Sequence, residues 1–250
     1  MLNLIKYEFR KSWIIKAIIL VFTAVFELMF IGGTIFNNED FLGMGIAFLS
    51  LTTICALFII GVYGIFRLHK DLTTKQSYML FMTPNSSYKI LGAKLIENAG
   101  SILVAGLFYV LLAIVDFTFL MAANGEIREG IEFLNQILGA HYSVDTYGFV
   151  MVSLNLIVIW IFTIVVGYLA VIISASILSG RKFSGVISFI IFLIINGVVQ
   201  KIHGIILELV GFDTFGFSTG KTVLGLVFDI VFAIIVYFAA AWIMDNKLSV

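Results

Sequence analysis

The chain is poor in charge, in cysteine and in proline, and each shortage closes off a class of answers. Only 12% of its 250 residues are charged, about half the share found in soluble domains. With 61% hydrophobic residues, it has too little polar surface to face water all round, so the composition predicts an all-α polytopic membrane protein. Acidic and basic residues balance at 15 each, leaving no overall basic field for nucleic acid. The single cysteine, Cys55, sits in an apolar run, with no partner for an internal disulfide and no companions for a metal site. The three histidines, His69, His141 and His203, are far apart and form no H-E-x-x-H pattern. No His is paired with a nucleophile inside an apolar run, so hydrolytic sites lack support. No long-period repeat or low-complexity segment is visible. The first apolar run lacks a small-residue cleavage motif and is long enough to span, so it is expected to be a retained helix.

One motif comes close to a nucleotide site and misses. Gly216-Phe-Ser-Thr-Gly220-Lys221-Thr222 has three residues between its glycines, one fewer than a phosphate-cradling loop needs for successive N–H groups to curl around an anion. It reads as a Gly/Ser/Thr loop leading into the last span.

What is abundant is apolar sequence. Six runs, each near the ~20 residues a bilayer requires, predict spans at 14–36, 42–66, 95–123, 148–178, 185–200 and 222–244. Ahead of them, residues 2–13 place Leu2, Ile5, Phe9 and Trp13 on one helical face and Asn3, Lys6 and Arg10 on another. This suits a helix in the headgroup plane, with Trp13 at the interface and Lys6, Arg10 and Lys11 near anionic lipid; the alternative is a basic flank to the first span. With the N-terminus inside, 12 of the 15 Lys and Arg fall on inner segments and Arg128, Lys201 and Lys221 on outer ones, so both termini are expected in the cytosol.

The longest polar interruption early in the chain runs from 67 to 94. It carries Arg67, His69, Lys70, Asp71, Lys75, Lys89 and Lys94, and the only proline, Pro84. Leu68, Leu72, Met79 and Met82 recur at helical spacing, and Pro84 ends the helix they predict. An external loop at 124–147 is expected to hold a short surface helix at 127–138. Gly180-Arg181-Lys182 is a tight inner turn between spans four and five. Residues 201–221 form an external segment whose apolar part, 202–210, is too short to cross and reads as re-entrant or interfacial, with His203 and Glu208 toward water. Glu27, Asp116 and Asp229 are carboxylates at membrane depth. Such groups line a translocation path or subunit seam, or are satisfied by a nearby polar group without a role.

At 67–94 the sequence resembles a known family. An inner loop after span two with a charged start (Arg67, Lys70, Asp71), then Tyr78-Met79-Leu80, Thr83-Pro84-x-Ser86 and Gly92-Ala93-Lys94, resembles type 2 ABC exporter permeases. The N-terminal Leu4-Ile5-Lys6-Tyr7-Glu8-Phe9-Arg10-Lys11 is similar to that family's elbow helix, and the six-span layout with a short re-entrant element before the last span matches in topology. The resemblance implies one transmembrane domain over 1–250, in a multi-pass plasma-membrane protein of bacterial type. It implies that 67–94 is a coupling helix docking on a separate cytosolic ABC ATPase, with Asp71, Leu72, Lys75, Tyr78, Met79 and Met82 as candidate contacts. It further implies a paired permease, as a homodimer or with a paralogue. ATP and Mg would sit on the ATPase, and this chain would carry no catalytic site, cofactor or metal of its own. Relatives export peptide toxins, give immunity to antimicrobial peptides, or move drugs, lipids or glycans, so the expected cargo is amphipathic or hydrophobic, with a peptide toxin or antimicrobial peptide first among the candidates. Two other classes fit the composition: a substrate-binding membrane subunit of an importer, and a proton-coupled secondary transporter using Glu27 or Asp116.

Overall fold

A polypeptide in lipid satisfies its backbone within each segment, and long apolar runs without internal proline do so as helices. The computed structural model describes residues 1–74, 86–124, 146–177, 183–211 and 219–247. Those residues form six helices: α1 (Leu2–Ile35), α2 (Glu39–Thr73), α3 (Ser87–Asn124), α4 (Thr146–Ile177), α5 (Ser184–Leu209) and α6 (Thr219–Lys247). Each contains a stretch long and apolar enough to cross a membrane, and no strand occurs among the described residues. The chain is a multi-pass membrane protein.

Three boundaries differ from expectation, for one shared reason. Residues 2–13 are not a separate in-plane helix; they run into the first span as the continuous 34-residue α1, about 51 Å long at 1.5 Å per residue. Residues 67–73 are not loop; they are the last two turns of α2. Residues 201–209 are not re-entrant; they finish the 26-residue α5. At none of these points does the sequence hold a proline or another break that would kink a helix, so each apolar core extends past the bilayer thickness into its polar flank. What stops α5 is Gly211, at φ +81, a left-handed conformation that glycine adopts without penalty. The outer surface helix expected at 127–138 and the inner turn at 180–182 lie outside the described residues, as do residues 216–218 of the Gly216–Thr222 motif, whose last four residues open α6.

The turn from α1 to α2 is set locally. Asn37 takes φ 49, which asparagine tolerates better than most residues. Asn38 Oδ1 accepts the N–H of Phe41 at 3.2 Å, capping α2, while Glu39 and Asp40 in its first turn complement the helix dipole.

The residues group into two compact units: one of 1–6, 61–99 and 147–250, the other of 7–60 and 100–146. In the first, the second half of α4 is the centre. Half of α4's apolar stretch is buried, against 6–28% for the other helices, and Ile164, Val165, Val166, Tyr168 and Ile172 are almost wholly covered. Leu68, Ile90, Leu91, Ala240, Ala241 and Met244 complete this core. Small residues permit its tightest approach: the Asn98 side-chain amide donates to the Gly61 carbonyl at 3.0 Å, and a Cβ on Gly64 would overlap that amide. In the second unit, Thr23 and Tyr109 share a buried hydroxyl hydrogen bond of 2.8 Å, and the Phe26 and Phe48 rings stack at 5.0 Å.

Replacing Gly64 with alanine is expected to cost about 1–3 kcal/mol, through overpacking and loss of the Asn98–Gly61 bond. Gly43→Ala, where a Cβ meets nothing, is expected to be neutral. Thermal denaturation of the two purified variants in detergent checks the difference.

Candidate functional site

Water is absent from a helix bundle's interior, so charges there must find one another. The last turns of α2 carry Arg67 and Asp71 four residues apart, hence on one face; the first turns of α3 carry Lys94, Glu97 and Asn98 at similar spacing. Arg67 (6% exposed), Asp71 (3%), Lys94 (4%) and Glu97 (6%) are all buried, two charges of each sign. Lys94 Nζ and Asp71 Oδ2 meet at 2.5 Å, joining the two faces. The Arg67 guanidinium lies over the Tyr63 ring, 5.8 Å from its centre. Both Arg67 and Glu97 have further polar partners.

The ends of α2 and α3 that carry the cluster are tied to α4, α5 and α6. Tyr168 on α4 donates its hydroxyl to the Lys94 carbonyl at 3.2 Å. His69 Nε2 on α2 meets Ser184 Oγ on α5 at 3.0 Å. Ser184 also offers its carbonyl to the Ser174 hydroxyl of α4 at 2.7 Å. Tyr237 on α6 donates to the Tyr88 carbonyl in the first turn of α3 at 2.7 Å. The two helix ends that flank residues 75–85 are therefore fixed to each other and to α4, α5 and α6.

Of the candidate coupling residues, Asp71 is not exposed as the family resemblance implies: its carboxylate is buried and spent on Lys94. Leu72 is half-buried at the end of α2. Lys75, Tyr78, Met79 and Met82 lie outside the described residues. Among the residues expected at the membrane surface, Lys6, Arg10 and Trp13 are exposed and Lys11 is half-buried. Next to them α1 is built inside out. Leu2 and Trp13 face outward, while Glu8 and Ser12 are buried, and Lys16 donates to Ser101 Oγ at 2.6 Å with its charge 4.6 Å from the Phe9 ring centre.

The three membrane-depth carboxylates do not form one group. Glu27 and Asp116, in the 7–60 and 100–146 unit, hydrogen bond to each other. Asp229 belongs to the other unit and lies under the electrostatic influence of His203, whose ring stacks on Phe228 at 4.7 Å. His203, expected toward water, instead has a buried Nε2. Sequence reasoning passed over Lys94, Glu97, Asn98 and Tyr168 as site residues. The available signal was the near-balanced set of charges at helical spacing on both sides of the interruption. No group of three or more His, Cys, Asp or Glu suited to a metal occurs among the described residues.

Compared with known proteins, the chain matches no family model, no curated protein and no solved structure.

Asp71→Ala and Lys94→Ala are each expected to destabilise by about 2–3 kcal/mol, because the remaining charge loses its charged hydrogen bond. The double variant Asp71→Leu, Lys94→Met removes both charges and is expected to recover most of that loss. Denaturation midpoints of the four proteins in one detergent check both expectations.

Proposed function

We propose that this chain is the membrane-spanning permease subunit of an ATP-driven exporter, with hydrolysis on a separate cytosolic ABC ATPase and the permease working as a pair. One observation supports it above the others: the helix ends flanking 75–85 are locked by buried charge and hydrogen bonds to α4, α5 and α6. A loop that merely connects two spans has no need of such a base. A lever does, because a push on it must reach the other helices rather than bend its own root. The positive-inside pattern puts this segment on the cytosolic side, where a motor is available.

In this mechanism the ATPase grips 75–85 together with Leu72, while Asp71 and Lys94 form the rigid footing behind the contact. ATP closure of the partner favours one arrangement of the bundle by binding it more tightly than the other, the only means by which a ligand shifts such an equilibrium. Lys6, Arg10 and Trp13 hold the N-terminal end of α1 at the headgroup level. The cargo is an amphipathic or hydrophobic molecule, which suits the apolar, aromatic-rich spans, and by the family resemblance a peptide toxin or antimicrobial peptide is the first candidate.

Co-expression with its cognate ABC ATPase subunit is expected to yield a stable complex that exports cargo on ATP addition in proteoliposomes. Leu72→Arg with Met79→Arg is expected to abolish complex formation while the chain still inserts. Asp71→Leu with Lys94→Met should keep the complex but uncouple hydrolysis from transport. Unchanged assembly and export in the arginine variant, or transport driven by a pH gradient without ATP, would overturn the proposal.

A further inference from the structure

In the unit formed by 7–60 and 100–146, three polar ties join α1 to α3 and follow one another along both helices in the same direction. They are Lys16 Nζ to Ser101 Oγ at 2.6 Å, Thr23 to Tyr109 at 2.8 Å, and Glu27 to Asp116. The first two use hydrogens that those side chains already carry. Thr23 gives its own to the Ile19 carbonyl at 3.0 Å, so the Tyr109 hydroxyl donates to Thr23. The third tie joins two carboxyls, and an ionised carboxylate has no hydrogen to give. That bond exists only while one of the two carries a proton.

No base stands near to replace the proton among the described residues. Neither 17–60 nor 100–124 contains a Lys, Arg or His. Lys16, the nearest base along α1, lies about 16 Å of helix away and is held at Ser101. On α2 the titratable groups are Glu39 and Asp40, of the same sign, and the exposed Cys55. On α3 the other titratable group is Tyr109, already committed to Thr23. Neutral donors are spent as well. Asp116 borders a cavity walled by Phe30, Leu49, Leu112 and Phe117. Ser50 and Thr53, in the same wall, donate to the Ile46 and Leu49 carbonyls at 2.8 and 2.9 Å, and Thr118 donates to the Val115 carbonyl at 2.8 Å. Glu27 Oε2 is buried without a hydrogen-bond partner, so ionising Glu27 would leave an anionic oxygen with no donor.

We infer that Glu27 and Asp116 share a single proton, which latches α1 to α3, and that releasing it opens this seam. The proton passes to water, or to hydroxide in alkali, and two carboxylates remain in contact. Like charges in apolar surroundings repel, so the helices part until water reaches both groups. The closed seam binds one proton more than the open one; acid therefore favours closure and alkali favours opening. The proton acts here as a ligand of the seam and not as the energy source for transport. The inference goes beyond the exporter function and does not rest on it.

The test uses the full chain in phosphatidylcholine nanodiscs, without ATPase, in an Asp229→Asn background that silences the remaining membrane-depth carboxyl. Infrared difference spectra against pH read the carbonyl stretch of an undissociated carboxyl. A band that shifts in heavy water is expected at neutral pH. In Glu27→Gln and in Asp116→Asn the surviving acid should need about tenfold more protons to show it, because sharing is lost. Glu27→Gln with Asp116→Asn keeps a hydrogen bond that needs no titrating proton, so this amide pair should stay closed at every pH. Nitroxides on Val25→Cys and Val115→Cys, both exposed, with Cys55→Ser, report the separation of α1 and α3. The distance is expected to lengthen on raising the pH in the parent and to stay fixed in the amide pair. Absence of the band at neutral pH overturns the inference. So does a band indifferent to both single substitutions, a parent distance that ignores pH, or equal lengthening in the amide pair.

Discussion

The contact between Asp71 and Lys94 constrains everything around it. Moving either charge out of water costs several kcal/mol, which only a close partner and further hydrogen bonds offset. Once both are buried, α2 and α3 are no longer free to slide or rotate independently, since a shift of one helical turn would strand two charges. Leu68 and Leu91, both fully covered, pack in the register that the pair dictates. Tyr168 can donate to the Lys94 carbonyl only while that register holds. The apolar core and the ion pair thus specify the same arrangement, and that agreement gives a bundle one structure rather than several.

The apolar runs carried most of the fold. Spans four and six appear within a few residues of where hydropathy puts them, because a bilayer rewards helices of that length, while α3 begins at Ser87, eight residues before the expected start of span three. The failures share a cause. Lys201, His203 and Glu208 look like a polar break, yet α5 continues through them to Leu209, since charged and polar side chains near a helix end reach the interface without breaking the helix. Residues 2–13 look like an amphipathic helix in the headgroup plane. Their Glu8 and Ser12 are instead turned into the protein, because with lipid as solvent the apolar face belongs outside. Asp71, which the family resemblance offers as an ATPase contact, lies buried against Lys94. Periodicity locates a stripe; it does not say which side of the stripe faces lipid.

The site was legible in position but not in role. The sequence marks 67–94 as the place where charge interrupts apolar spans, and the buried cluster lies at both ends of that stretch. What a linear reading could not supply is the pairing across 23 residues, or the anchoring of both ends by Tyr168, Ser184 and Tyr237 on helices distant in sequence. Glu27 and Asp116 were recognisable as costly carboxylates, but not that they would bond to each other beside a cavity.

Magnitudes decide how such a base behaves under load. Driving a two-state protein from almost wholly one form to almost wholly the other takes about 5.5 kcal/mol of differential binding. Six polar ties hold the base: Asp71–Lys94, His69–Ser184, Tyr168–Lys94, Ser174–Ser184, Tyr237–Tyr88 and Asn98–Gly61. At about 1 kcal/mol net for each neutral bond and about 2–3 for the charged pair, they sum to roughly 7–8 kcal/mol before any apolar burial is added. A switch of ordinary strength therefore cannot dismantle the footing. It can carry the footing as one piece, or exchange one tie for another, and packed interiors make such exchanges in discrete steps rather than by gradual yielding. In the proposed mechanism, the ends of α2 and α3 thus transmit force rather than absorb it.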